Sequence, residues 1–205
     1  MMPTAFPEGG SMPDIQTVPL HIPDANPAWK LLLQSGVGMA CTVGIPFMHL
    51  LRDELGLSDD QLRPVDAFLL DGMPVDEPET AIVPDGARIA LAAGLPGIAG
   101  LAMKSKSAVR ALRSGITHTG DAVPHPRPGA VILSLYSLVL PLLGGHFLRR
   151  GALVEPSQLV RYARFSPDDH ALVNGTVLSM PELEQAVAAM PESTVFLLTA
   201  ALCHE

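Results

Sequence analysis

The chain has 205 residues, of which 48% are apolar and only 4% aromatic, and its 21 acidic residues outnumber 13 basic ones for a net charge of −8. That much aliphatic side chain supports a substantial folded core and excludes a largely disordered protein. The acidic balance and the scarcity of rings argue against a nucleic-acid surface, which needs basic charge and stacking platforms.

The N-terminal residues 1–20 have neither a basic stretch nor an apolar one, so they predict a mobile tail and no secretory signal. From Trp29 the pattern changes. Trp29–Gln34 and Gly38–Val43 are two apolar runs around Ser35-Gly36 and predict a β-hairpin. Pro46 then precedes Phe47–Leu55, where Phe47, Leu50, Leu51 and Leu55 share a helical face and Gly56 supplies a stop. Val65–Leu70 predicts a strand, Asp71-Gly72 a tight turn and Met73–Asp76 a short continuation. Asp85-Gly86 turns the chain into Ala87–Ala93, whose near-continuous apolarity predicts a central strand.

This succession of hairpin, helix, strand, turn and strand resembles the β-grasp, ubiquitin-like fold, and within it the small sulfur-carrier proteins of thiamine and molybdopterin synthesis. Leu55-Gly56-Leu57, Leu70-Asp71-Gly72, Pro84-Asp85-Gly86 and the glycine-rich Leu95–Gly100 occupy the matching places. The resemblance covers residues 29–100, about a third of the chain, and it implies a sheet that offers a face or edge to protein partners. In the sulfur carriers a terminal glycine carboxylate is adenylated and becomes a thiocarboxylate. Here Gly100 is followed by a further 105 residues, so the resemblance implies sulfur transfer only after cleavage at Gly100.

Asp121–Pro128 is proline-rich and predicts a linker. Gly129–Leu148 is apolar and followed by Arg149-Arg150, which is long enough to span a bilayer. Pro141, Gly144-Gly145 and His146 interrupt it, and a strand at Ala130–Leu135 followed by a buried helix at Tyr136–Arg150 accounts for the same apolarity. Beyond it the pattern predicts a strand at Ala152–Val154 and a helix at Pro156–Phe165. A second helix follows at Met180–Met190, capped by Ser179. His170–Gly175 echoes Ala67–Gly72, and Thr194–Leu202 echoes Ala87–Leu95. The expected organisation is α+β: a tail (1–20), a β-grasp domain with a basic extension (21–120), a linker (121–128) and a second small α+β domain (129–205), a diverged duplicate or a chance echo.

The chemistry-bearing residues are few. Lys104–Arg113 holds four of the 13 basic residues and no acidic one. Gly97 and Gly100 would let the backbone approach an anion, Ser105 would cap a helix, and Lys104, Lys106, Arg110 and Arg113 would supply charge. A solvated basic face accounts for the same residues. His118 and His125 flank Asp121 but lack the short pairing of a metal site. Cys41 and Cys203 have no neighbouring cysteine and predict reduced thiols. No nucleophile signature occurs, so no catalytic residue, metal or cofactor is assigned. The expectation is a cytoplasmic, non-enzymatic binding or scaffolding module that associates with itself or another protein. A sulfur carrier processed after Gly100 and an enzyme or binding protein for a small phosphate-bearing ligand are the alternatives.

Overall fold

The computed structural model describes residues 17–23, 30–94, 125–165, 167–191 and 193–201. In chain order these form β1 (Thr17–Pro23), α1 (Leu32–Ser35), β2 (Val37–Val43), β3 (Ile45–Pro46) and α2 (Phe47–His49). Next come α3 (Asp59–Leu62), β4 (Ala67–Leu70), β5 (Met73–Pro74), β6 (Ile82–Val83) and β7 (Arg88–Ala93). The second half contributes β8 (Arg127–Ser137), α4 (Val139–Arg150), β9 (Ala152–Val154), α5 (Pro156–Ala163), β10 (His170–Val173), β11 (Thr176–Ser179), α6 (Met180–Ala188) and β12 (Val195–Ala201). The protein is mixed α+β, with six α-helices among the described residues.

The local chemistry explains most of these elements. Pro46 opens α2, which widens after one turn into a π-helical segment, Leu50–Glu54, closed by the Leu55 N–H donating to the Leu50 carbonyl at 2.8 Å. Phe47, Leu50, Leu51 and Leu55 are fully buried, and Gly56 takes φ +72° where the helix ends. Ser58 caps α3 and Ser179 caps α6, each in a reciprocal capping box with Gln61 or Glu182. Asp71-Gly72 and Asn174-Gly175 adopt positive φ at both residues and close two-residue hairpins.

One expectation fails at the start of the first half. The run before Ser35 is the helical turn α1 and not a strand. Leucine is a strong helix former, and a run this short carries no periodicity that separates helix from strand. The place beside β2 that the hairpin partner was expected to fill belongs to β8, antiparallel to β2 from Val37↔Leu133 to Val43↔Arg127.

Ten strands make one sheet in the order β11-β10-β1-β12-β9-β2-β8-β7-β4-β5, and β3 and β6 pair separately. Reading outward from the β2–β9 contact at Gly38↔Leu153, the pairs on one side are β2–β8 antiparallel, β8–β7 parallel, β7–β4 antiparallel and β4–β5 antiparallel. On the other side β9–β12, β12–β1, β1–β10 and β10–β11 repeat that series of senses. Thus β10 and β11 stand where β4 and β5 stand. The places of β7 and β8 are taken by β1 and β12, so the echo of Ala87–Leu95 in Thr194–Leu202 does not put those two segments in corresponding places. Strand pairing also crosses residues 121–128, because β8 lies between β2 and β7. Residues 17–20, expected in the tail, belong to β1 between β10 and β12.

All six helices feed one core on one side of the sheet. Leu20, Met39, Leu91, Leu133 and Phe196 from the strands join Leu33, Leu51, Leu143, Leu159 and Leu183 from the helices in a single apolar cluster. α4 lies against β7, β8 and β12, and α5 against α6. The apolar stretch 129–148 is thereby split between β8 and α4, and no described helix is long and apolar enough to cross a membrane.

Candidate functional site

Because strand side chains alternate, the registers assign every other residue to the side of the sheet away from the helices. One row across it is Val177, Leu172, His21 and Thr199, opposed in turn as Val177↔Leu172, Leu172↔His21 and His21↔Thr199. A second row is Pro19, Leu197, Leu153, Gly38, Ile132 and Arg88, again neighbour to neighbour. A third holds Leu69, Ala90 and Ser134. Ala67, Ala92, Ala130, Leu153 and Val195 also point to this side, outside the core cluster, yet are buried, so the face is covered within the chain at those positions and open chiefly toward β11.

Three properties distinguish this face. First, Val177 is 64% exposed, and Leu172 and Leu197 are 36% exposed each, so it presents aliphatic surface to solvent. Second, none of the ten strands contains an aspartate or glutamate, although the whole chain has 21. Among the described strand residues that point outward, Arg88 is the one permanently charged side chain. Third, its centre mixes small residues, Gly38, Ala40, Ala90 and Ala130, with the branched side chains of Leu153 and Ile132.

The sheet edges are less receptive than the face. At one edge β5 has two residues and ends in Pro74, which has no N–H to donate. At the other, Val173↔Thr176 flanks a two-residue turn and is a hydrogen-bonded pair, so the outward backbone groups of β11 belong to Val177 and Ser179. The Ser179 N–H is already bonded to Glu182 Oε2 at 2.8 Å, and its carbonyl opens α6. Only Val177 of β11 retains outward groups for another strand.

Polar groups on and under the sheet are structural in their bonding. The Thr199 hydroxyl and His21 Nδ1 share a hydrogen bond on the outer face. Beneath it, Glu54 Oε2 accepts the Thr42 N–H at 2.8 Å. Burial, and then the neighbouring Glu54 carboxylate, push the Cys41 thiol up to about 12, while Arg150 opposes the shift. A thiol so held stays protonated and is a poor nucleophile.

Of the residues singled out from the sequence, Gly97, Gly100, Lys104, Ser105, Lys106, Arg110, Arg113 and His118 lie outside the described residues, as does Cys203. His125 is exposed, and its N–H donates to the Gly44 carbonyl at 2.9 Å just before β8. Among the described residues no three histidines, cysteines or carboxylates come together as a metal site. The outer face was missed in the sequence because no motif marks it. The observed strands hold no acidic residue, but the runs read as strands hid this, since Val65–Leu70 and Met73–Asp76 each include an aspartate. Compared with protein-family models, with curated proteins and with solved structures, the chain matches none.

Proposed function

We propose that the chain is a non-enzymatic binding or scaffolding module on a β-grasp plan, and that the outer face of its sheet is the contact surface. The plan is supported by the order β2, helix, β4, Asp71-Gly72 turn, β5, β7, with β8 supplying the strand beside β2 that the resemblance places in a hairpin. The observation that carries the function is the outer face itself, with exposed Val177, Leu172 and Leu197 on strands that hold no carboxylate. A face meant only for water would use the acidic residues that this chain has in excess. A photo-crosslinking amino acid placed at Leu172 or Leu197 in cells yields protein adducts, and one placed at the exposed Thr80 does not. Equal adducts at all three positions, or none at Leu172 and Leu197, reject the reading.

A further inference from the structure

We infer that the chain is a duplicated pair locked by strand exchange. Two units of one plan, residues 17–93 and 127–201, each place their first described strand in the other's sheet, so that a break in the chain between them leaves one particle. This does not depend on the outer face being a contact surface.

Along the chain the two units run in step. Each has a strand, a helix, a glycine, a strand, a helix opened by proline, a two-residue hairpin and a last strand, with α3, β3 and β6 added in the first and α6 in the second. The likeness is strongest at the glycine. Gly36 ends α1 at φ 93° and ψ 124°, and Gly151 ends α4 at φ 106° and ψ 121°, both on the positive-φ side that glycine tolerates. Leu32, Leu33, Val37 and Met39 are buried around the first, and Phe147, Leu148, Ala152 and Val154 at the same spacings around the second. Gly38 and Leu153, each two residues beyond its glycine, are the pair that joins β2 to β9. Equivalent residues that face each other lie on a local twofold axis.

Across the sheet the units are crossed. The half β2-β8-β7-β4-β5 holds four strands of the first unit and the first strand of the second, β8. The half β9-β12-β1-β10-β11 holds four strands of the second unit and the first strand of the first, β1. Each guest runs parallel to its host's last strand, β8 to β7 and β1 to β12. Both guests are interior strands, and their core-facing Leu20, Ile22, Val131, Leu133 and Leu135 are at most 1% exposed. Withdrawing a guest removes those side chains and opens ladder hydrogen bonds on both of its flanks. Nor can the first unit close on its own strand in the same way. β8 uses 11 residues to serve β2 from Arg127 to Leu133 and β7 from Ile132 to Ser137, whereas β1 has seven.

The full chain with a site-specific protease sequence inserted after Ala111 tests this, cleaved to completion in dilute urea and returned to buffer. The expected result is a single sedimenting particle that contains both pieces and keeps the circular dichroism of the intact chain. Pieces that separate, folded or not, overturn the inference. The uncut chain is to unfold in urea in one transition, and two transitions overturn it as well. Leu133→Ala in β8 supplies a readout within the intact chain. Because the units open together, amides of β7 and of the distant β12 are both to exchange at least about tenfold faster. Protection lost at β7 but retained at β12 means that the units open separately and refutes the lock.

Discussion

The carboxylate of Asp85 accepts the backbone N–H of Ala130 at 3.0 Å while its other oxygen sits 3.1 Å from Arg127 Nη2, so the turn before β7 grips β8 forty-five residues later. Asp85→Ala orphans the buried Ala130 N–H and is expected to destabilise the fold by about 1–3 kcal/mol. Asp85→Asn retains the acceptor oxygen and loses chiefly the half-exposed ion pair, so it costs less. Gly129→Ala brings a methyl 2.5 Å from Asp85 Oδ1 and 2.7 Å from Val43 Cγ2, and should destabilise by about 1–3 kcal/mol through overpacking. Urea unfolding of the three variants ranks them.

Gln158 joins the two halves of the sheet from beneath. Its buried amide donates to the Gly36 carbonyl at 2.8 Å and accepts the Glu155 N–H at 3.1 Å. Gln158→Leu fills the same volume without either bond and is expected to cost about 2 kcal/mol, seen as a lower thermal midpoint. An unchanged midpoint would mean that neither bond holds β9 and β2 together.

Cys41 gives a signature at high pH. Its thiol ionises near 12 in the folded protein against 9.0 for an ordinary thiol, so from about pH 9 the unfolded chain binds fewer protons than the folded one. Its contribution to stability is complete below pH 9 and is lost as pH rises through 12. In a Cys203→Ser background, Cys41→Ala should flatten the decline of stability above pH 9. The same background should resist thiol reagents at pH 8 until denaturant is added.

At the start of α6 the sign is reversed. Hydrogen bonds from the Ser179 hydroxyl and N–H hold the Glu182 carboxyl below its usual range. A depressed pKa contributes stability that is present above the unfolded value and lost as pH falls through the folded one. Ser179→Ala is expected to destabilise by about 1 kcal/mol at pH 7 and by less under acid conditions, with the difference between wild type and variant shrinking in parallel urea titrations.

The parts of the fold legible in the sequence were those with local causes. The Phe47 helix had a proline start, four leucine or phenylalanine contacts and a glycine stop, and the Asp71-Gly72 and Asn174-Gly175 turns required left-handed residues. The Ser179 cap marked α6 in the same way. What escaped was long-range. Residues 17–20 read as tail because no local signal marks them, yet this strand needs only a short antiparallel contact with β10, and its main neighbour is β12, the last described strand. Nothing near Arg127 states that it will align with Val43. The candidate face was invisible for a related reason: it exists only once ten separate runs have been laid side by side.

The parallel pairing of β1 with β12 also orders events in time. Leu20 stands opposite Leu198, so the first described strand to leave the ribosome finds this neighbour only after almost every other described residue has been made. Until Val195–Ala201 emerges, one flank of Thr17–Pro23 is an unpaired edge with no lysine, glutamate or aspartate to repel an intruding strand. The first described strand is thus among the last to be enclosed, and the nascent chain carries that open edge until β12 is made.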